Sequence, residues 1–368
     1  MANTQTAAEL VVTKYLADFF KEYVRDNRFS RYTGTGINNI INIKEGRKVI
    51  EIPLVTRLKG NGVSGSGTLR GNGESIGNYG HALTPTYYRH AVEFDKEEME
   101  KPAINLMNAA RPLLLDWSME LLRDQIIEAM MAIHNGTSYI NLADATQAQM
   151  DSWLQNNADR VLFGALKSNA GTAGSEDHSA GISALDVSAD LLKRPIVSVA
   201  KRMAKLSDPH IRPIKTKDDE EWFVMFCDPW AFKALKADLA SENATARPRS
   251  MNNPIWTDAD LVYDGVICRE VPEIGDMVDA IDGTANTGDL NLKTGGDTSA
   301  RIGVNFLCGA QALGFGLGQR PRVIVDRDWD YGFQPGVACE CKHDVDKMYF
   351  NNKQHGMVTV YTATVKDA

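Results

Sequence analysis

The chain has no hydrophobic run long enough to cross a membrane as a helix, which would need roughly 18 or more apolar residues in succession. Its most apolar stretch, Phe306–Leu317, is short and contains three glycines. The N-terminus also lacks the uninterrupted apolar core of a secretory signal peptide, because charged residues recur from Glu9 to Glu22. We therefore expect a chain that folds in the cytoplasm and has no membrane partner.

Cysteine is scarce as well. The sequence has five cysteines in 368 residues, an odd number that does not fit a disulfide framework. We expect reduced thiols, most of them on small buried side chains. The five are Cys227, Cys268, Cys308, Cys339 and Cys341.

Basic residues are fewer than acidic residues. The chain carries 40 Lys and Arg against 48 Asp and Glu, a formal net charge of −8. The excess of acid is regional, since residues 257–298 hold ten acidic residues against only Arg269 and Lys293. A protein that binds nucleic acid in a groove needs a basic stripe, so the charge pattern disfavours that class.

Catalytic and cofactor motifs are missing too. The chain has no Walker sequence and no G-x-S-x-G nucleophile elbow, and its histidines are scattered. Residues Gly60–Gly65 match the dinucleotide fingerprint in letters, yet a flexible loop follows where that motif requires a helix. We expect no catalytic residues and no cofactor. A nucleotide-dependent cytosolic enzyme that uses Gly60–Gly65 is the alternative from a different class.

A short segment near the C-terminus holds potential metal ligands. Cys339, Cys341 and His343 alternate in a strand-like pattern, which points both thiols to one face. Because no second pair of ligands lies nearby in the sequence, we predict no metal site here.

The sequence does contain a long arm. Residues 49–55 have β-branched and apolar density, residues 87–94 alternate like a returning strand, and a glycine-dense tip lies between them. The tip spans Gly60 to Gly80, far longer than a tight hairpin turn, and cannot build a core of its own. We predict that it is mobile in an isolated subunit and is fixed only by a partner surface.

Hydrophobic periodicity indicates mixed α and β structure around this arm. The predicted helices are an amphipathic N-terminal helix at 7–25, two consecutive helices at 97–111 and 112–134, and helices at 190–206, 229–239 and 301–315. The predicted strands are 222–227, a pair within 261–271 and several within 323–365, whereas 169–181, 246–254 and 283–296 are predicted as loops.

Several blocks together resemble the major capsid proteins of N4-like tailed phages. Val49–Gly60 with its glycine tip is similar to the extended loop of that family, Tyr88–Val92 to its returning strand, and Pro112–Trp117 to the start of its spine helix. Further similar blocks are Asn253–Trp256, Tyr263–Val266, Gly309–Pro321 and Asp330–Gly332. The blocks occur in order over nearly the whole chain.

The resemblance implies an α+β chain with the HK97-type coat fold. The implied parts are an N-terminal arm (1–43), the extended loop (44–96), a spine helix with a peripheral domain (97–184), an axial domain (185–322) and C-terminal strands (323–368). The family also implies hexamers and pentamers of one protein around packaged double-stranded DNA in a virion, with scaffold, portal and decoration proteins as further partners. A cellular compartment shell of the same fold is the nearest alternative.

Three basic residues of the extended loop are our candidate intersubunit residues: Arg57, Lys59 and Arg70. Because residues 257–298 are acidic, we expect the loop to meet that region on a neighbouring subunit. Charge complementarity of this kind contributes more to specificity than to affinity.

Overall fold

The computed structural model describes residues 22–100, 106–134, 138–172, 174–215, 220–243, 260–281 and 301–365. The helices within these residues are α1 (Lys96–Glu100), α2 (Leu106–Met131), α3 (Gln147–Asn156), α4 (His178–Ser183), α5 (Arg194–Leu206), α6 (Pro229–Asn243) and α7 (Pro272–Ile281). The strands are β1 (Thr33–Gly34), β2 (Ile41–Glu45), β3 (Ile50–Val55), β4 (Asn78–Leu83), β5 (Thr86–Glu93), β6 (Ala132–His134), β7 (Tyr139–Asn141), β8 (Val161–Phe163), β9 (Gly171–Thr172), β10 (Ser175–Glu176), β11 (Ile214–Lys215), β12 (Glu221–Cys227), β13 (Leu261–Tyr263), β14 (Val266–Glu270), β15 (Arg301–Cys308), β16 (Leu313–Asp326), β17 (Gly336–Lys347), β18 (Tyr349–Phe350), β19 (Lys353–Gln354) and β20 (Met357–Thr364).

The smaller of two compact units contains residues 86–123 and 318–343. In it β5 pairs antiparallel with β17, from Glu93 opposite Gly336 to Thr86 opposite His343. Side chains of β17 alternate between buried and half-buried, as expected for a strand with one covered face. Ala110 and Leu114 of α2 pack against Val337 and Cys339 on that face.

The larger unit is built on a seven-stranded sheet in which the main path runs β13-β14-β12-β15-β20-β8 and β11 pairs with β12. Strands β15 and β20 pair antiparallel over their full length and are buried at every position. Helices α5 and α6 bury their apolar faces against the sheet, with Val197, Ala200 and Leu235 in the shared core. The fold is therefore mixed α and β, with its largest core in this unit.

The extended loop contains a hairpin in the larger unit. Strand β3 pairs antiparallel with β4, from Ile50 opposite Leu83 to Val55 opposite Asn78. Tyr88–Val92 forms a strand, as predicted, but it is not the returning strand of the hairpin, because β5 pairs with β17 instead. The actual returning strand, Asn78–Leu83, contains Gly80 and lacks β-branched residues, so its composition indicated a loop. We call the connecting residues 56–77 the loop tip.

Two predictions about helices need correction. The predicted break between Arg111 and Pro112 is absent, since α2 continues through Pro112 as one helix and ends at Met131. The predicted helix at 301–315 is wrong: β15 and the start of β16 occupy those residues. Both strand segments are buried on two faces, and a strand of that kind shows no period-2 alternation to separate it from a buried helix.

Other predicted elements agree with the structure. The strand at 222–227, the strand pair within 261–271, the helix that opens at Pro229 and the strands within 323–365 are confirmed. Residues 169–181 are not one loop, because they contain β9, β10 and the start of α4. The predicted N-terminal helix lies mostly outside the described residues, and 22–25 have no regular structure. The predicted loops at 246–254 and 283–296 also lie outside the described residues.

Within the described part of the chain, none of the helices combines the length and the apolar character that crossing a membrane requires.

Candidate intersubunit loop

The hairpin and its tip expose many apolar side chains. Val55 is 63% exposed, Leu58 60%, Leu69 69% and Ile76 62%. An exposed cluster of apolar side chains on a soluble chain commonly marks a surface that a partner covers. These residues are therefore candidates for contact with another molecule.

Hydrogen bonds within the loop close the two ends of the tip. The Thr56 amide donates to the Gly77 carbonyl at 2.9 Å. Glu74 accepts from the Lys59 amide and from the Gly60 amide, each at 2.7 Å. These backbone hydrogen bonds lower the pKa of the Glu74 carboxyl, because they stabilise its charged form. An added Cβ at position 60 would lie 2.8 Å from Glu74 Oε2, so a larger residue there would displace the end of the Glu74 side chain.

Two of the three predicted basic residues meet at one carboxylate. Lys59 Nζ donates to Asp208 Oδ2 at 2.6 Å, and Arg57 Nη2 lies 3.8 Å from Asp208 Oδ1. The hydrogen bond from Lys59 lowers the pKa of Asp208, and the charges of Lys59 and Arg57 act in the same direction. Arg70 is exposed in the turn at 70–71 and, among the described residues, is not one of the groups that contact Asp208.

The segment that carries Asp208 is held through its backbone. The Asp208 amide donates to Asp159 Oδ2 at 3.0 Å, and its carbonyl accepts from Lys353 Nζ at 3.1 Å. The next carbonyl, of Pro209, accepts from Arg160 Nη2 at 2.5 Å. Arg160 is fully buried, so the segment is attached directly to the core. We call residues 207–210, with these three partners, the Asp208 platform.

Arg160 is itself well anchored. Its guanidinium donates to the carbonyl of Gln354 and, at 3.2 Å, to that of His355. Burial lowers the pKa of this guanidinium, and the nearby Asp159 opposes the shift. Carbonyl groups that converge on a buried guanidinium fix the position of the chain segments that carry them.

A groove of about 570 Å³ lies beneath the hairpin and beside the platform. Its walls combine apolar residues of the hairpin, such as Leu54 and Tyr79, with His210 and Phe350. Open space therefore lies between the hairpin and the Asp208 platform.

Glu74 and Asp208 are the residues that sequence reasoning missed. A signal for Glu74 existed, because it is the only acidic residue within 56–77 and the amides of a glycine-rich loop need an acceptor. Asp208 lies roughly 150 residues away from Lys59 and has no local signal, so only the tertiary fold brings it to the loop.

The acidic region 257–298 is described only over 260–281. There Asp260 lies 3.5 Å from Arg269, Asp264 lies 2.9 Å from Lys201, and Asp279 lies 2.6 Å from Arg301. These three carboxylates already have cationic partners in their own chain.

The potential metal ligands of β17 share one face, as predicted. Cys339, Cys341 and His343 are all buried on it, and burial lowers the pKa of His343 to about 4. In the described ranges, no group of three or more His, Cys, Asp or Glu side chains is arranged to hold a metal ion. All five cysteines are buried and free.

Comparison with known proteins identifies the family of the chain, which its geometry alone does not identify. A family model described as phage capsid protein matches residues 3–366. The chain is 31% identical to a solved chain of the cyanophage Pam1 capsid asymmetric unit, covering 100% of both chains with a TM-score of 0.88. No curated protein sequence matches it.

More distant structures share the fold. The capsid of Ralstonia phage GP4 matches at 19% identity over 100% of this chain and 99% of that one, with a TM-score of 0.70. The capsid of the Helicobacter pylori bacteriophage KHP30 matches at 14% identity over 96% of each chain, with a TM-score of 0.67. These likenesses extend over almost the entire chain.

Proposed function

Because the chain belongs to the phage capsid protein family, we propose that its copies form hexamers and pentamers that enclose double-stranded DNA. It is a major capsid protein, a structural component of the virion shell and not an enzyme. The family match over residues 3–366 carries this assignment and does not favour a cellular compartment shell. Within the family we place it with the capsid proteins of N4-like tailed phages, on the blocks quoted above.

The exposed loop tip supports a role in contacts between subunits. Its large apolar side chains are uncovered in the single chain, and a second copy is the partner that a shell protein always has. A contact in which a loop of one copy binds a different surface of the next is heterologous, and repetition of such contacts closes rings. We propose that the loop tip, within the extended loop 44–96, makes this contact.

The other segments receive roles by the same proposal. Residues 1–43 act as an arm that docks on a neighbour, 97–184 form the spine and peripheral part, 185–322 the axial part and 323–368 the returning strands. Scaffold, portal and decoration proteins are the further partners we expect. The acidic charge balance indicates that DNA is confined by the shell and not tightly bound to it.

Electron microscopy of the purified protein and of particles from its source tests the assembly. We expect closed shells of uniform diameter whose DNA resists nuclease. Shells filled with a protein cargo, or a monomer under all conditions, would contradict the proposal.

Charge reversal tests the basic loop residues. Arg57→Glu with Lys59→Glu should impair shell formation while the circular dichroism of the subunit stays unchanged. The matched control is Arg47→Glu with Lys48→Glu, which changes the net charge equally at two exposed positions at the start of the same loop. Normal shells from the Arg57 and Lys59 variant would remove these residues from the interface.

A further inference from the structure

The loop tip needs something to hold it. Residues 56–77 contain no helix or strand, and their apolar side chains face solvent, so no core fixes their position. A loop that samples many positions loses conformational entropy when it binds a neighbour, and this loss weakens binding. A contact that restricts the loop beforehand reduces that cost.

Asp208 makes such a contact. Its carboxylate reaches Lys59 at 2.6 Å and Arg57 at 3.8 Å, at the start of the tip. Glu74, on the far side of the tip, holds the Lys59 and Gly60 amides, so the link to Asp208 also reaches the second half of the loop. Two hydrogen-bonded connections therefore restrain a segment that has no core.

The restraint is attached to a fixed point. The backbone of Asp208 is held by Asp159 and Lys353, and the adjoining carbonyl by buried Arg160. None of these hydrogen bonds uses the Asp208 side chain, so its carboxylate is free to reach the loop. Replacing that side chain would leave the platform in place.

The exposure of the paired side chains shows whether the contact with Asp208 covers the binding surface of the loop or leaves it accessible. The side chains of Arg57 and Lys59 remain 60% and 59% exposed, and that of Asp208 56%, while they are paired. The apolar residues Leu58 and Leu69 also stay open to solvent. The pair therefore leaves the surface that a neighbour would bind uncovered, which is inconsistent with an inhibitory contact.

We propose that Asp208 is a positioning residue, which holds the loop tip at the platform so that the tip is oriented for docking on a neighbouring subunit. The proposal rests on the proposed function of the loop, but the position of the tip in a single subunit can be measured without assembly. The pair contributes to orientation and little to the overall stability of the fold, as is usual for exposed ion pairs.

Hydrogen exchange on the full-length chain, kept dilute so that it stays unassembled, tests the restraint. Asp208→Asn keeps the shape of the side chain and removes its charge. We expect the hydrogen-bonded amides of the tip, those of Thr56, Lys59 and Gly60, to exchange about two- to fivefold faster, the range open to an exposed ion pair. Glu221→Gln is the matched control, because Glu221 also forms an exposed pair, with Lys205 at 2.9 Å, and glutamine keeps the shape of its side chain.

Salt provides a second measurement. Because about 1 M salt shortens the screening length to roughly 3 Å, it should speed exchange of the tip in the wild-type chain and have little effect in Asp208→Asn. Asp208→Glu, which restores the charge, should recover slow exchange. Equal exchange of the tip in all three chains would overturn the proposal.

Assembly kinetics give the functional outcome. We expect Asp208→Asn to form shells more slowly than the wild type, and Asp208→Glu and Glu221→Gln to form them at close to the wild-type rate. Faster assembly by Asp208→Asn would overturn the proposal, because the contact would then be inhibitory. If the wild-type chain forms no shells at all, the proposed function fails, and the exchange comparison still decides whether Asp208 holds the tip.

Discussion

The loop tip and the seven-stranded sheet use ion pairs of almost the same length in opposite surroundings. Lys59 and Asp208 lie 2.6 Å apart, and both side chains are more than half exposed. Arg301 and Asp228 lie 2.7 Å apart within the larger unit, with 6% and 0% of their side chains exposed. The distances do not separate the two pairs, but their access to water does.

The buried pair belongs to a fully connected group. Arg301 also donates to Asp279 Oδ1 at 2.6 Å and to the Gly275 carbonyl at 3.0 Å. Asp228 accepts from the Trp230 amide at 2.9 Å at the start of α6. Burial raises the pKa of Asp228, although the charge of Arg301 opposes the shift. The group links β15, α6 and α7, so it fixes the positions of elements, whereas the exposed pair only biases the direction of a loop.

The largest effect is expected when one partner of the buried group is removed. Arg301→Met leaves Asp228 buried without its cation, and removal of one partner from a buried pair typically costs about 3–5 kcal/mol of unfolding free energy. Urea denaturation followed by circular dichroism measures the change. Lys205→Met is the matched control, since Lys205 pairs with Glu221 at 2.9 Å at the surface of the same unit and should matter by less than about 1 kcal/mol.

A second variant separates charge from packing. Combining Arg301→Met with Asp228→Asn removes the buried charge and keeps a side chain that can cap α6, so it should regain part of the lost stability. A cost for Arg301→Met as small as for Lys205→Met would refute the distinction between buried and exposed pairs.

The next largest effect is the loss of folding stability at acid pH. Burial lowers the pKa of four histidines to about 4: His81, His178, His343 and His355. Because the unfolded chain binds these protons near pH 6.5, stability is present above that pH and is lost as the pH falls from 6.5 towards 4. Asp346 changes the stability in the opposite direction. Burial raises its pKa to about 7, so just below pH 7 the folded chain keeps a proton that the unfolded chain has lost, and this contribution to stability increases as the pH falls.

His178 is the best single test of that prediction. Its ring is buried beside Phe163 and Tyr361, and its Nε2 lies 3.1 Å from the Tyr361 hydroxyl. His178→Gln keeps a hydrogen-bonding group and removes the titration, so the unfolding free energy should fall less steeply between pH 6.5 and 4, by about 1.4 kcal/mol per pH unit at most. An unchanged slope would show that His178 binds its proton equally well in the folded and the unfolded chain, which would contradict the lowered pKa.

The same contrast explains how much the sequence could predict. Elements with a local boundary signal were predicted correctly: the strand at 222–227 is a short apolar run that ends just before Pro229, and the helix that follows opens at that proline. Strand β15 is covered on both faces, so its pattern was indistinguishable from that of a buried helix. Arg57 and Lys59 were identified from local charge, but Asp208 was not, because the partner of a surface charge is set by the tertiary fold.

The smallest effects should distinguish the three basic residues of the loop. Lys59 donates a charge-assisted hydrogen bond to Asp208 at 2.6 Å, Arg57 lies 3.8 Å from that carboxylate, and Arg70 is not among its partners within the described residues. At these distances in water the Coulomb attraction alone differs little between Lys59 and Arg57, so the hydrogen bond decides their order. Exchange of the hydrogen-bonded amides of Thr56, Lys59 and Gly60 should therefore be accelerated most in Lys59→Met, less in Arg57→Met and not at all in Arg70→Met. Equal effects of all three would mean that general positive charge, and not the contact at Asp208, holds the tip.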